Sequence, residues 1–122
     1  MRDSIRGGFG GRNMDTILHV TTLADWAAAQ ASGLHAPAML AADGFLHFCT
    51  AAQLDYVLGK HFAGRTGLVL LTCDPAQVGD LRWEKSVPGQ PPFPHVYGPL
   101  PVAAVLNTRE LTTPSPPGTG LE

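Results

Sequence analysis

Charge is scarce in this chain. Asp, Glu, Lys and Arg make up 15% of its 122 residues, ten acids against eight bases, for a formal net charge of −2. No stripe of Lys and Arg gathers anywhere, so duplex nucleic acid, which is held by clustered cations on phosphates, is disfavoured as a partner. Long apolar runs are missing as well. None approaches the roughly 20 residues of a membrane-spanning helix, and the first residues hold no segment of signal-peptide type. Cysteine is nearly absent: Cys49 and Cys73 do not make a disulfide framework. A reduced, cytoplasmic protein with no membrane partner is expected, and a monomer is the expected state. With 44% apolar residues, the length suits one domain with one core.

Both ends lack periodicity. MRDSIRGGFGGRN opens the chain, and pattern begins at Met14-Asp15-Thr16. The reading is a disordered extension over residues 1–14, a single domain over 15–112, and a disordered Pro- and Gly-rich tail over 113–122. Leu121-Glu122 reads as the scar of a cloning site ahead of a purification tag. GGFGG has neither the strand before it nor the helix after it that a phosphate loop needs. One imperfect RGG-like copy reads as a solvated tail rather than an RNA-binding segment.

Between the ends, TILHVT (16–21) alternates and predicts a strand with Ile17, His19 and Thr21 on one face. Thr22 caps a helix with Asp25 three residues on, and Gly33 ends it. A loop containing Pro37 follows. Phe45–Cys49 predicts a second strand with Phe45, His47 and Cys49 on one face. Thr50 and Gln53 form the capping box of a second helix, with Leu54, Val57, Leu58 and His61 or Phe62 at helical spacing and Gly64 as its stop. Gly67–Cys73 predicts a central strand covered on both faces. Asp74-Pro75 turns the chain. Leu81–Glu84, His95–Tyr97 and Val105–Leu111 supply the remaining strands, the first two separated by the Pro-rich VPGQPPFP. The order β-α-β-α-β-β-β-β is that of an α+β domain. Trp83 and Tyr97, as large aromatics, are expected in the core.

Three histidines, His19, His47 and His95, lie on strands next to a helix cap or a Gly-Pro turn. A single strand histidine is usually a half-buried residue with satisfied ring nitrogens. Three at strand ends, where folds place sites, favour one shared site. Zinc is one alternative, with His47-x-Cys49 plus His95 or His19 as ligands, but no paired spacing pins such a geometry and no metal is assigned. A Cys49 thiol nucleophile assisted by His47 or His95 is another, against Cys49 as a small apolar filler. Glu84, beside Trp83, is a candidate general acid or base, against a solvated strand end.

The blocks LHVTTLADWAAAQ, DGFLHFCTAAQL, LVLLTCDP, LRWE and FPHVYGPLPVAAVL resemble, in order, the bacterial family called domain of unknown function 952, from about Thr16 to Leu111. That family in turn looks like a small member of the ADP-ribosyltransferase-like superfamily. His19 in Leu18-His19-Val20-Thr21 stands at the first-strand His position. His47 stands where a Tyr is common. His95 in His95-Val96-Tyr97-Gly98-Pro99 stands where the catalytic Glu would be. RNA 2′-phosphotransferases, within the superfamily, also carry His at such later positions.

The resemblance implies split mixed or antiparallel sheets with two early helices and a cleft for a nucleotide-like ligand, with NAD as a possible substrate. His19 would bond a ribose hydroxyl through a ring N–H, Thr21 would fix a carboxamide, His47 would lie against the nicotinamide, and His95 and Tyr97 would close the far side. The catalytic candidates are His19, His47, His95 and Glu84, and the ligand-binding candidates are His19, Thr21, His47 and Tyr97. Losing the Glu argues against ordinary ADP-ribosyl transfer, because a carboxylate stabilises the ribose cation better than an imidazole. Three classes remain: an enzyme acting on NAD or on an ADP-ribosyl or 2′-phosphate group, a non-catalytic nucleotide or ADP-ribose binding domain, and a metal- or thiol-dependent hydrolase.

Overall fold

An apolar run without alternation belongs inside a sheet, buried on both faces. A computed structural model, which describes residues 16–111, places Leu68–Cys73 at the centre of a three-stranded antiparallel sheet. In chain order the elements are β1 (Ile17–Thr22), α1 (Leu23–Ser32), β2 (Leu34–His35), α2 (Ala38–Asp43), β3 (Leu46–His47), α3 (Leu54–His61), β4 (Leu68–Cys73), β5 (Asp80–Glu84), β6 (Phe93–Tyr97), β7 (Leu100–Pro101) and β8 (Val105–Leu111). Single 3-10 turns precede α3 and β8. The sheet orders are β1-β4-β8, β2-β7 and β3-β6-β5, and every pairing is antiparallel. The architecture is α+β, as expected. The extension expected over 1–14 and the tail expected over 113–122 lie outside the described residues.

The central sheet divides the core. Ile17, Val69, Leu71 and Cys73 pack with Trp26 and Ala29 of α1 and with Leu46, Val96 and Leu100. Leu18, Val20, Leu68 and Leu70 point the other way, toward Cys49, Phe93, and Leu54, Val57 and Leu58 of α3. Both faces of β1 and β4 are therefore dry, and an ordinary polar alternation has nowhere to face. The predicted caps form. Thr22 Oγ1 accepts the Asp25 N–H at 3.0 Å, Gly33 closes α1 in the left-handed region at φ 91°, and Thr50 with Gln53 makes the reciprocal box.

Three expectations need correction. The loop around Pro37 contains β2 and the six-residue α2. Two-residue strands carry no periodicity, and α2 has no side-chain cap to announce it. The Phe45–Cys49 strand shrinks to Leu46–His47. Its register on β6 pairs Leu46 with Val96 and His47 with His95, so Phe48 would pair next with Pro94. Phe48 does donate its N–H to the Pro94 carbonyl at 3.0 Å, but proline has no N–H to return. The ladder stops, and Cys49 instead exchanges two 2.8 Å backbone bonds with Leu18. Finally, Trp83 is 52% exposed: it points away from the face of β5 that carries Arg82 and Glu84, and the core does not reach it.

Candidate functional site

The face of β3-β6-β5 that carries the odd residues of β6 collects most of the polar chemistry. Register sets His47 and Arg82 on either side of His95. Glu84 Oε1 accepts two hydrogen bonds of 2.7 Å, one from His95 Nδ1–H and one from the Tyr97 hydroxyl. These bonds hold the Glu84 carboxyl below its ordinary range, and the one from Tyr97 raises that phenol. With Nδ1–H committed to a carboxylate, neutral His95 keeps Nε2 as its proton acceptor. Phe45 stacks on the His95 ring at 4.1 Å and 22°, and His95 is 4% exposed. His47 donates Nε2–H to Asp43 Oδ2 at 2.9 Å, on the rim where α2 ends. The His47 and His95 ring centroids lie 5.5 Å apart. Behind them, Arg82 sits 4.2 Å over the Tyr97 ring and pairs with Asp80 at 2.8 Å.

His47 and His95 line a cavity of about 540 Å³. Its floor is Leu18 and Val20 of β1. Tyr56, Val57 and Phe62 of the α3 side form one wall, Ser86 and Val87 another, and Met39 and Asp43 of α2 the rim. His61 and Arg65, at and beyond the end of α3, also line it. The sequence marks them only as a helix end, and their role as lining comes from α3 lying across the groove.

His19 is buried, and both of its ring nitrogens are occupied. Nδ1–H donates to the His47 carbonyl at 2.7 Å, and Nε2 lies 3.1 Å from His35 Nε2. Burial lowers its pKa to about 4, so the ring is neutral. The role expected for it, a ring N–H on a ribose hydroxyl, has no N–H left to use. Its place in the cavity wall is that of a brace between β1 and β3. Thr21 is buried in β1 and lies outside the cavity lining, so it is not positioned to fix a carboxamide there. Tyr97 is half-buried and serves Glu84. Glu84, expected either as an acid-base group or as a solvated strand end, is the residue that orients His95. His35, missed in the sequence as part of a loop, is buried at 1% exposure against His19.

The thiol reading meets an obstacle. Cys49 and Cys73 are buried free thiols, and burial pushes both up to about 12, so neither is a thiolate near neutral pH. Among the described residues, no group of three or more His, Cys, Asp or Glu side chains could hold a metal ion, so the zinc alternative has no ligand set there. No helix among them is long and apolar enough to cross a membrane.

Solved structures place the fold among known ones. The chain is 38% identical to the crystal structure of protein CC0527 from Caulobacter crescentus, with a TM-score of 0.73, over 79% of this chain and 85% of that one. A crystal structure of a double-mutant form of the same protein matches at 39% identity and a TM-score of 0.72, with the same coverage. Its solution NMR structure matches at 37% and 0.68, over 80% of this chain and 84% of that one. No curated protein matches the chain. The model of a family of proteins of unknown function matches residues 20–108, a stretch that holds the caps, the β3-β6-β5 sheet and the His47–His95 pair, and the chain belongs to that family, DUF952.

Proposed function

We propose that the cavity takes a nucleotide-like small molecule and that His95, oriented by Glu84, is a general base at its ribose or phosphate. The observation that carries this reading is the pair of carboxylate-held imidazoles, His95–Glu84 and His47–Asp43, 5.5 Å apart on one cavity wall. A carboxylate that fixes one ring nitrogen orients the other for proton transfer. The apolar walls with Tyr56, Phe62 and Phe93 suit a flat base, and the histidines suit the polar end.

Within the ADP-ribosyltransferase-like possibilities, this arrangement favours a 2′-phosphate group over the nicotinamide bond of NAD. Cleaving the nicotinamide bond calls for a carboxylate at the ribose carbon, and the Glu84 carboxylate is engaged by His95 and Tyr97. In a phosphoryl transfer, His95 Nε2 takes the proton of the attacking hydroxyl as its oxygen bonds to phosphorus, and protonated His47 supplies a proton to the departing oxygen. A ligand held without turnover is the second reading, supported by the mainly apolar lining.

The test is an NMR titration with a 2′-phosphorylated nucleotide, NAD and ADP-ribose, followed by assays for phosphate transfer and nicotinamide release. Saturable shifts at His47 and His95 and phosphate transfer are expected, with His95→Ala lowering turnover by roughly 10²- to 10⁴-fold. Binding without turnover would leave the second reading. No shift at millimolar ligand would remove both.

A further inference from the structure

Two buried histidines outside the proton-transfer pair form a link that crosses all three sheets. His19 on β1 bonds the His47 carbonyl on β3 through Nδ1, and His35 on β2 through Nε2. A carbonyl only accepts, so His19 Nδ1 carries the hydrogen. Neutral His19 then has a bare Nε2, and His35 must be the donor across the 3.1 Å contact. That assignment leaves His35 Nδ1 as a bare lone pair, and it is the buried side-chain atom without a partner among the described residues. The fold leaves this acceptor unsatisfied, which is normally costly. The opposite tautomer would be worse, with two lone pairs facing across 3.1 Å and a buried N–H without an acceptor.

We propose that His35 is a positioning residue: its Nε2–H holds the His19 ring, whose tautomer the His47 carbonyl sets, and His19 in turn fixes the backbone of His47 beside His95. His47 belongs to a strand of only two residues, whose ladder Pro94 cuts short, so the brace replaces cross-strand bonds that β3 lacks. Protonation of His19 would put a hydrogen on its Nε2, set N–H against N–H and open the link, whereas a proton taken up by His35 goes to Nδ1 and leaves its Nε2–H donor in place. The groups facing the pair are His47 on β3, which opposes protonation of His19, and Asp25 on α1, which favours protonation of His35. Phe48 stacks on His19 at 4.9 Å. Burial keeps both rings below the ordinary imidazole value, so the link stays closed at neutral pH. The catalytic consequence rests on the function proposed above, whereas the link itself does not.

Long-range ¹H–¹⁵N spectra of the full chain at pH 7 test the link without any ligand. The expected pattern is hydrogen on Nδ1 of His19 and on Nε2 of His35. Hydrogen on Nε2 of His19, or none on Nε2 of His35, at pH 7 would overturn the proposal. His35→Gln, which retains a donor, is expected to keep the hydrogen-bonded ¹⁵N shift of His19 Nε2 and the His47 ring shifts, whereas His35→Leu is expected to lose both. With a turned-over substrate, His35→Leu should lower kcat roughly tenfold to 10²-fold with KM within about twofold, and His35→Gln should restore most of it. Wild-type His47 shifts in a folded His35→Leu protein would sink the positioning role. If that variant does not fold, the wild-type spectra decide. The expected tautomers with no nucleotide binding would refute the nucleotide reading and leave this one standing.

Discussion

At the scale of single residues, Glu84 carries the most. It accepts from both His95 and Tyr97, so Glu84→Gln removes the charge that fixes the His95 tautomer while keeping the shape. Under the proposed function, turnover is expected to fall by roughly 10²-fold or more, and the His95 ring ¹⁵N shifts should lose their single-tautomer pattern. Unchanged shifts would mean that an uncharged acceptor at position 84 is enough to fix the tautomer. The two cysteines give the opposite expectation. Buried and pushed up to about 12, they should resist iodoacetamide in the native protein and react once it is unfolded in urea, as followed by mass. Rapid native alkylation of Cys49 would revive the thiol reading. His47 and His95 were legible because each interrupts an apolar strand. His35 was not, because Leu34-His35 is too short to carry a period and sits between Gly33 and a proline. Glu84 was legible only as a carboxylate beside a tryptophan; its partners come from the β5–β6 register, which a sequence does not print.

Among the elements, the Thr50–Gln53 turn joins two functions. Its box caps the 3-10 turn that leads into α3, and the buried Gln53 amide also donates to the Pro91 and Pro92 carbonyls at 3.2 and 3.1 Å. The cap therefore pins the Pro-rich segment that leads into β6. Thr50→Ala should cost about 1 kcal/mol. Gln53→Leu leaves two carbonyls unpaired and should cost about 1–3 kcal/mol, both read from urea midpoints. Equal small losses would mean that the Pro-rich segment holds itself. The cap was legible as T-x-x-Q, but its second duty was not, since the partners lie 38 and 39 residues away. β4 was legible as a strand dry on both faces because its neighbours are as apolar as it is. β3 was overread because the residue that cuts it short, Pro94, belongs to another strand.

For the whole molecule, pH acts through the buried imidazoles. The folded pKa of His19 lies near 4, below its ordinary 6.5, and His35 is lowered in the same direction. Between these values the unfolded chain binds protons that the folded chain does not, so stability falls as pH drops from about 6.5 toward 4 and is flat above. The shift at His19 corresponds to on the order of 3 kcal/mol over that window. Urea midpoints at pH 7.5, 6 and 5 should decline in that order, and a constant midpoint would mean that the pair is not buried neutral. The fold class was legible from the order of elements. The three-sheet arrangement was not, because β2 and β7 are two residues each and are found only by the pairing of distant segments.

The reciprocal backbone bonds between Leu18 and Cys49 stitch the floor of the groove to the strand that bears His47. A wall fastened in this way does not swing open to admit a visitor. A ligand of the proposed kind would meet such a pre-shaped cleft in a single encounter, with an observed rate that climbs linearly with ligand concentration and shows no plateau from a slow rearrangement. Stopped-flow traces of tryptophan emission, if Trp83 or Trp26 reports on occupancy, would then fit one exponential at every concentration.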